Sequence, residues 1–400
     1  MSADAVASVV GAGGVVIHCT EMKKPFRKSE KGGIMTIETS QLVEDLRGFP
    51  KTGIFGGEPT DPQELIKELD ESIKEKQKLG IYPREFKSPL GCQMELTYRC
   101  NLKCIQCYNQ SGLQRNTWED MSMRKWIDVT EQLVKGEVAQ VIITGGEPLI
   151  LGEDLFKIMD MLDDSGVTFF FITNGWFLTD ENLDRLSKYA YSRFQISIDG
   201  SRSCIHDEIR GVKGSFERAV RGAVNIREMG LPLVIAHIVM KQNVEYVAEM
   251  IELAYYLGAF HIISDKFSEV GRGYLNRSDI GITEEQKTHL HDIVEKKRQE
   301  YRMKMHVTPV TDTAVIFRRY IVDPTRVILI RPNGDVRLDC VLPFTIGNVL
   351  KEDIQPMWDR IGKRAWLHPE ILEYVHKVRS DKDVGTVHPV PHVDPDILIS

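Results

Sequence analysis

Two hydrophobic periodicities alternate between residues 93 and 264. Short runs of β-branched and aromatic residues predict buried strands, and apolar residues recurring every three or four positions between them predict amphipathic helices. Strands and helices that alternate in this way indicate an α/β fold with a parallel sheet and right-handed crossovers. The predicted strands are 93–98, 139–144, 167–173, 193–199, 232–239 and 260–264, and the predicted helices are 120–135, 153–164, 180–188, 215–229 and 244–257.

The chain ahead of this repeat predicts a small separate module of strand and helix. Residues 48–60 are rich in Gly and Pro and predict a loop. Asp61 is a suitable N-cap for a helix after this loop, and Gly80 is a suitable stop. We therefore assign residues 1–85 to an N-terminal module.

The pattern changes again after residue 265. Residues 271–274, Gly-Arg-Gly-Tyr, predict a loop, and residues 283–300 predict a charge-rich helix. The turn sequence at 332–334 lies between two apolar runs and predicts a β-hairpin. The Pro- and His-rich last residues predict a tail along the surface. The core therefore covers residues 86–275, and a C-terminal domain covers residues 276–400.

Composition narrows the classes of function. The net charge of −7 indicates no excess of basic residues of the kind that binds nucleic acid. No apolar run reaches the roughly 20 residues that a membrane-spanning helix needs. The seven cysteines are an odd number and do not form a disulfide framework. These observations predict a cytoplasmic protein that works without nucleic acid or membrane.

Three cysteines directly after the first predicted strand are the strongest chemical signal. Cys100, Cys104 and Cys107 have the spacing C-x3-C-x2-C, which lets three thiolates converge on one metal centre. A structural zinc ion takes four ligands, and so does a [4Fe–4S] cluster closed entirely by protein. Three thiolates leave one iron open to a small molecule. The alternative is half of a zinc site that a residue elsewhere completes.

Further motifs follow in order, each at the end of a predicted strand. Gly145-Gly146-Glu147-Pro148 begins 38 residues after Cys107, and the sequences ITNG (172–175) and QISIDG (195–200) come next. Together with the cysteines, this series resembles the radical S-adenosylmethionine (SAM) superfamily. The resemblance implies a partial (β/α)6 barrel and one [4Fe–4S] cluster whose open iron chelates SAM. It also implies reduction by an external donor such as flavodoxin or ferredoxin, and a 5′-deoxyadenosyl radical that abstracts hydrogen from the substrate.

The resemblance also assigns roles to residues. Gly145–Pro148 would lie near the amino group of SAM, since glycines let the backbone approach closely. Arg210 would pair with the SAM carboxylate. Gln106 is a departure, because the family commonly has an aromatic residue or His before the third cysteine. The residues implied to bind the cofactor are Gly145, Gly146, Glu147, Pro148, Asn174, Ser197, Asp199 and Arg210, and those implied to bind the cluster are Cys100, Cys104 and Cys107.

The C-terminal region resembles the SPASM or twitch extension of the same superfamily. That extension usually binds further clusters through many cysteines, but Cys340 is the only cysteine after residue 204. The extension's fold is therefore expected to remain without its clusters. Cys340 is either a buried structural thiol or a catalytic hydrogen donor, for which Cys204 is a second candidate, while Cys92 is expected to be structural.

The resemblance implies a ribosomally made peptide as substrate, with cross-linking, epimerisation or backbone excision as the outcome. Residues 1–85 would then bind the leader part of the precursor peptide, or else cap the barrel. Two other functions remain open. One is maturation of a small molecule in cofactor or antibiotic biosynthesis, and the other is a non-catalytic metal-binding scaffold.

Overall fold

The computed structural model describes residues 88–112, 119–322 and 327–399, with residues 71, 74, 75 and 77–79 ahead of them. Residues 71, 74, 75, 77 and 78 are helical, in agreement with the helix predicted after Asp61. The loop at 48–60 and the roles considered for residues 1–85 otherwise lie outside the described residues.

The fold is a mixed α/β architecture around one sheet. The sheet contains eleven strands in the described residues, in the order β11-β10-β9-β8-β1-β2-β3-β4-β5-β6-β7. Strands β1 to β7 are parallel and adjacent in sequence order, as a partial (β/α)6 barrel requires. The strands are β1 (Gly91–Glu95), β2 (Gln140–Thr144), β3 (Thr168–Thr173), β4 (Tyr191–Ser197), β5 (Leu233–Val239), β6 (His261–Lys266), β7 (His306–Val307), β8 (Val327–Ile330), β9 (Asp335–Arg337), β10 (Phe344–Asn348) and β11 (Ile397–Leu398).

The helices cover the outside of this sheet, and all five that the hydrophobic pattern predicts within the core are confirmed. The prediction of a loop at 271–274 is wrong, because these residues form a short helix, α7. The helices are α1 (Met123–Lys135), α2 (Glu153–Asp163), α3 (Asp180–Leu186), α4 (Ser203–Arg210), α5 (Ser215–Glu228), α6 (Val247–Tyr256), α7 (Gly271–Leu275), α8 (Arg277–Ile280), α9 (Glu284–Tyr301), α10 (Thr313–Val322), α11 (Ile354–Arg360), α12 (Pro369–Lys377) and α13 (Asp381–Val384).

The two faces of the parallel strands differ in burial. In β1, Cys92 and Met94 are fully buried in the core that the helices cover, as predicted for Cys92. Residues of the opposite parity, such as Gln93 and Gln195, are half-buried and face the other side of the sheet. Successive side chains of a strand alternate between faces, so this face is the inner wall of the partial barrel. The carboxyl ends of the strands meet at one edge of that wall.

The C-terminal region continues the same sheet. Strand β8 pairs in parallel with β1, on the side opposite to β2. The turn at Asn333-Gly334 then leads into β9, which is antiparallel to β8, so the predicted hairpin is confirmed. This pairing brings the C-terminal hairpin beside the strand that precedes the three cysteines. No helix in the described part of the chain is both long and apolar enough to span a bilayer.

Candidate active site

The loop that carries the three cysteines begins where β1 ends. We call residues 96–112 the cysteine loop. Its first residue, Leu96, donates its backbone N–H to the carbonyl of Thr144 at 3.0 Å, and Gly112 closes the loop onto the carbonyl of Tyr98 at 3.2 Å. Gly112 has a φ of +77°, and a Cβ there would stand 2.1 Å from the Leu102 oxygen. The loop therefore folds back on itself at a position that only glycine fills without strain.

Each of the three sulfur atoms has polar neighbours. The backbone N–H of Leu102 donates to the Cys100 sulfur at 3.4 Å, and the Arg210 guanidinium lies 3.7 Å from the Cys104 sulfur. The Cys107 thiol donates to the Asn109 side-chain oxygen at 3.1 Å. The contacts of Cys100 and Cys104 stabilise thiolates, and three thiolates are the ligand set that the predicted cluster needs.

The thiols also interact with one another. Burial raises the pKa of Cys100 to about 12, and the charges of Cys104 and Cys107 raise it further. Burial likewise raises the pKa of Cys107, against an opposing effect of the Arg272 charge. In the described residues, no three His, Cys, Asp or Glu side chains lie close enough to hold a single metal ion. A cluster binds through a separate iron for each thiolate, so the cysteine loop fits that group.

The Gly145–Pro148 segment lies directly against the cysteine loop. Gly146 donates its N–H to the Thr97 carbonyl at 2.6 Å, and Glu147 donates to the Arg99 carbonyl at 2.9 Å. A Cβ on Gly146 would stand 2.1 Å from the Arg99 oxygen. Glycine is therefore required here by a backbone-to-backbone contact. The Asn109 side chain donates to the Gly145 carbonyl at 3.2 Å. The residues that follow Cys107 therefore also contact the Gly145–Pro148 segment.

Glu147 is fully buried and holds the next loop. Its carboxylate accepts from the Thr173 hydroxyl at 2.8 Å and from the Asn174 backbone N–H at 2.8 Å. Burial raises the pKa of Glu147 to about 7, although these donors oppose the shift. Asn174 in turn donates to the Asn101 side chain at 2.9 Å. The residues predicted to bind SAM here are thus joined to one another and to the cysteine loop.

Asp199 and Arg210, both predicted to bind SAM, form a buried ion pair with a separation of 2.7 Å. The Gln106 amide donates to the same Asp199 oxygen at 2.6 Å, and the Ile238 N–H donates to the other at 2.9 Å. Burial alone would lower the pKa of Arg210, but the charge of Asp199, together with the charges of Cys104 and Cys100, outweighs it and raises the pKa above its ordinary value. Gln106, the departure from the family pattern, therefore makes a hydrogen bond within this network.

Ser197 differs from its neighbours at this edge. It is half-buried on the inner face of β4, and its hydroxyl makes no hydrogen bond within the described residues. His206 and His237 belong to polar networks, because His206 accepts from the Asp199 N–H at 3.1 Å and His237 lies 2.9 Å from the Ser264 hydroxyl. The Ser197 hydroxyl is thus open to a ligand, and the buried Gln106 Oε1 and His237 Nε2 atoms also have no hydrogen-bond partner within the described residues.

Cys340 lies in the turn that follows β9, beside the cysteine loop. Burial raises the pKa of its thiol well above the ordinary value, and the charges of Asp339 and Glu95 raise it further. The Cys340 charge also raises the pKa of Tyr108, the residue after Cys107. The thiol is therefore protonated and close to the carboxyl end of β1. The second candidate, Cys204, is exposed on the outer surface of α4.

Two contributions to the site were missed by the sequence-based prediction. Arg272 of α7, in the segment predicted to be a loop, donates to the carbonyls of Cys104 and Ser111 at 2.7 and 2.6 Å. His392, in the predicted surface tail, is 1% exposed, packs edge-on against Tyr108 and lies 2.6 Å from the Cys340 carbonyl. The two glycines of α7 gave no signal for a helix, and the tail's composition gave no signal for His392.

Comparison with known proteins places this geometry in a family. A family model described as "Radical SAM superfamily" matches residues 94–254. The mycofactocin maturase MftC of Mycobacterium tuberculosis is 32% identical over 304 residues, which cover 73% of this chain and 75% of MftC. The PqqA peptide cyclase of Granulibacter bethesdensis is 28% identical over 223 residues, 56% of this chain and 59% of the cyclase.

The solved structures agree on the fold. The structure of Streptococcus suis SuiB bound to S-adenosylmethionine superposes with a TM-score of 0.58 at 16% identity, and it covers 83% of this chain and 77% of SuiB. At this level of identity, the likeness shows that the two chains share an architecture.

Proposed function

This chain belongs to the radical SAM superfamily, and we propose that it modifies a ribosomally synthesised peptide. When bound, the family's [4Fe–4S] cluster and SAM supply one-electron chemistry that abstracts hydrogen from the substrate. The observation that carries the proposal is the cysteine loop, whose Cys100 and Cys104 sulfurs have thiolate-stabilising neighbours and whose backbone touches the Gly145–Gly146 segment. The similarity to a peptide cyclase and to a maturase supports a peptide as substrate.

We assign the cofactor contacts as follows. Cys100, Cys104 and Cys107 hold the cluster, and the Gly145–Pro148 backbone binds the methionine part of SAM. Ser197 and Asn174 contact the nucleoside, because the Ser197 hydroxyl is unpaired and Asn174 sits between the two loops. Arg210 binds the SAM carboxylate only if it exchanges its contact with Asp199, so we assign the Asp199–Arg210 pair mainly to the position of Cys104.

The proposal includes the setting in which the enzyme works. The substrate is a precursor peptide, and electrons come from an external donor such as a flavodoxin or ferredoxin. The protein acts in the cytoplasm, where reducing conditions keep the cluster cysteines free, and it needs neither a membrane nor nucleic acid.

Cys340 is assigned as the hydrogen donor that ends the substrate radical. A thiol donates a hydrogen atom only while protonated, and burial beside Asp339 and Glu95 keeps the pKa of Cys340 high. Transfer breaks the S–H bond and forms a C–H bond on the peptide, which leaves a thiyl radical. An electron from the external donor and a proton from solvent then restore the thiol.

The function is tested with reduced, cluster-loaded enzyme, SAM and short peptides encoded beside its gene. We expect 5′-deoxyadenosine and a peptide of altered mass, and loss of both when Cys100, Cys104 and Cys107 are replaced by Ala. S-adenosylhomocysteine as the only product would point to methyl transfer instead. SAM cleavage without any change in a peptide would favour a small-molecule substrate, and a cluster without SAM cleavage would favour the scaffold.

The role of Cys340 has its own test. Cys340→Ala should still cleave SAM but should lose most of the final peptide product, because hydrogen return to the substrate radical fails. In D2O, the wild-type product should gain one deuterium at the modified centre, since thiol hydrogens exchange with solvent. Cys204→Ser, on the outer surface of α4, is the matched control and should behave as wild type. Unchanged product from Cys340→Ala would leave Cys340 as a packing residue.

A further inference from the structure

Helix α7 is fastened to the cysteine loop by four hydrogen bonds. The Arg272 backbone N–H donates to the Cys107 carbonyl at 3.0 Å, and its side chain donates to the carbonyls of Cys104 and Ser111 at 2.7 and 2.6 Å. The Asn276 side chain donates to the Ile105 carbonyl at 2.7 Å. These bonds reach the second and third cysteines themselves, a residue between them and a residue after them, so α7 fixes that half of the loop.

The close approach depends on Gly271. It has a φ of +52°, and a Cβ there would stand 1.8 Å from the Tyr108 oxygen. No other residue fits at this position without moving the helix away from the loop. The Gly-Arg sequence therefore brings one guanidinium into direct contact with the backbone between two cluster cysteines.

Arg272 is a buried cation without an acidic partner. Its side chain is 6% exposed, and no Asp or Glu of the described residues pairs with it. Arg210, the other buried arginine at the loop, is neutralised by Asp199. An unpaired buried charge is strongly unfavourable, so such an arrangement persists where a group of opposite charge occupies the site.

We propose that Arg272 is the electrostatic counter-charge of the cluster and that it favours the cluster's reduced form. A cluster held by three thiolates gains one further negative charge on reduction, and a fixed cation beside it stabilises that added charge. Net charge and hydrogen bonding near a cluster are general determinants of its potential. The inference rests on the family's cluster but is independent of the peptide substrate.

The test compares four proteins with the cluster loaded. Arg272→Gln removes the charge, Arg272→Lys keeps the charge but loses the two-carbonyl contact, and Asn276→Ala removes a loop hydrogen bond without changing charge. The measurements are iron per chain and the midpoint potential, from an anaerobic titration followed by absorbance and electron paramagnetic resonance. Neither measurement requires SAM turnover or a peptide.

Arg272→Gln should shift the potential to more negative values, with about tenfold less reduced cluster at a fixed applied potential. A tenfold change in the amount of reduced cluster is what one unit charge roughly 10 Å away produces at an effective dielectric constant of about 20. Arg272→Lys should stay near the wild-type potential. Asn276→Ala should keep the potential and at most lose iron faster.

Three results would overturn the proposal. The first is a wild-type potential in fully loaded Arg272→Gln. The second is an equal shift of the potential in Arg272→Lys and Arg272→Gln, which would mean that the geometry of the loop, and not the charge, sets the potential. The third is an equal shift in Asn276→Ala. If Arg272→Gln does not hold a cluster, the potentials of Arg272→Lys and Asn276→Ala still test the proposal. An effect of charge predicts that both variants keep the wild-type potential, so a shift in either one would contradict it. Failure to modify any peptide would leave this result intact, so the two proposals fail separately.

Discussion

Single buried polar side chains join the loops of this site. Glu147 links the Gly145–Pro148 segment to Asn174, and Asp199 links the end of β4 to Gln106 and Arg210. A buried charge is tolerated only with partners, so each of these carboxylates fixes the loops that supply its donors. The residues that the family pattern assigns to the cofactor therefore also hold the loops of this site together.

Glu147 gives a testable case. Its pKa in the folded protein is about 7, above the ordinary value of 4.5, so the folded state binds a proton more tightly than the unfolded state. Its contribution therefore makes the apo protein less stable as pH rises from about 4.5 to 7. Glu147→Gln should remove this pH dependence and cost about 1–3 kcal/mol at pH 5, because its amide meets the Asn174 N–H as a second donor.

Urea unfolding of both proteins at pH 5 and pH 7.5 measures the effect. The informative quantity is the difference in unfolding free energy between the two pH values. An identical pH dependence in wild type and Glu147→Gln would show that Glu147 does not titrate as its burial implies. Glu153→Gln on the exposed first turn of α2 is the control, and it should leave the dependence unchanged.

At the scale of elements, two loops meet backbone to backbone. Gly146→Ala would place a methyl group 2.1 Å from the Arg99 carbonyl, which must move together with the start of the cysteine loop. We expect weaker SAM binding, and also faster iron loss, because the same displacement reaches Cys100. Equilibrium dialysis with SAM and iron analysis after gel filtration test this. Gly152→Ala is the control for backbone strain alone, since Gly152 has a φ of +55° but no atom lies within 4 Å of its Cβ position. Weaker SAM binding with normal iron retention would mean that the two loops respond independently.

The elements that the sequence predicts well are those with a long hydrophobic pattern. Strands β1 to β6 and helices α1, α2, α5 and α6 have enough residues for their hydrophobic periodicity to be detected. Strands β7 and β11 have two residues each, which is too short for any period. Helix α7 contains two glycines, which disfavour helix, and its contacts with the cysteine loop hold it in place. The site residues of the cysteine loop were predictable from their spacing, whereas the partners of Arg272 and Asp199 depend on tertiary contacts.

At the scale of the molecule, the chain's last described segment returns to the cysteine loop and to the C-terminal hairpin. Ile397–Leu398 pairs with β10, and Asp396 lies 3.3 Å from the buried Arg337. The Gln110 side chain donates to the His392 carbonyl, and the Gly271 N–H donates to the Pro391 carbonyl at 3.1 Å. The tail predicted to lie on the surface therefore contacts the cysteine loop, α7 and the C-terminal hairpin. It adds long-range support to a loop that must stay closed around a cluster.

His392 should carry much of this support. Burial and the charges of Arg337 and Arg331 hold its pKa well below the ordinary value, so the ring is neutral between Tyr108 and the Cys340 carbonyl. His392→Ala leaves a cavity and an unpaired carbonyl, which should lower the unfolding free energy of the apo protein by about 2–4 kcal/mol. It should also speed iron loss from the loaded protein. His388→Ala, at a side chain that is 81% exposed, should change stability by less than about 0.5 kcal/mol.

His392 also makes the unfolding free energy of the protein depend on pH. The folded pKa of His392 is depressed, so its neutral form stabilises the fold above the unfolded pKa of about 6.5, and this contribution is lost as pH falls below that value. His392→Ala should therefore lose less stability than wild type between pH 7.5 and pH 5, while His388→Ala should match wild type. Chemical unfolding at both pH values, with iron release followed at pH 7.5, separates the two variants. Equal behaviour of His392→Ala and His388→Ala in both assays would mean that the tail covers the site without supporting it.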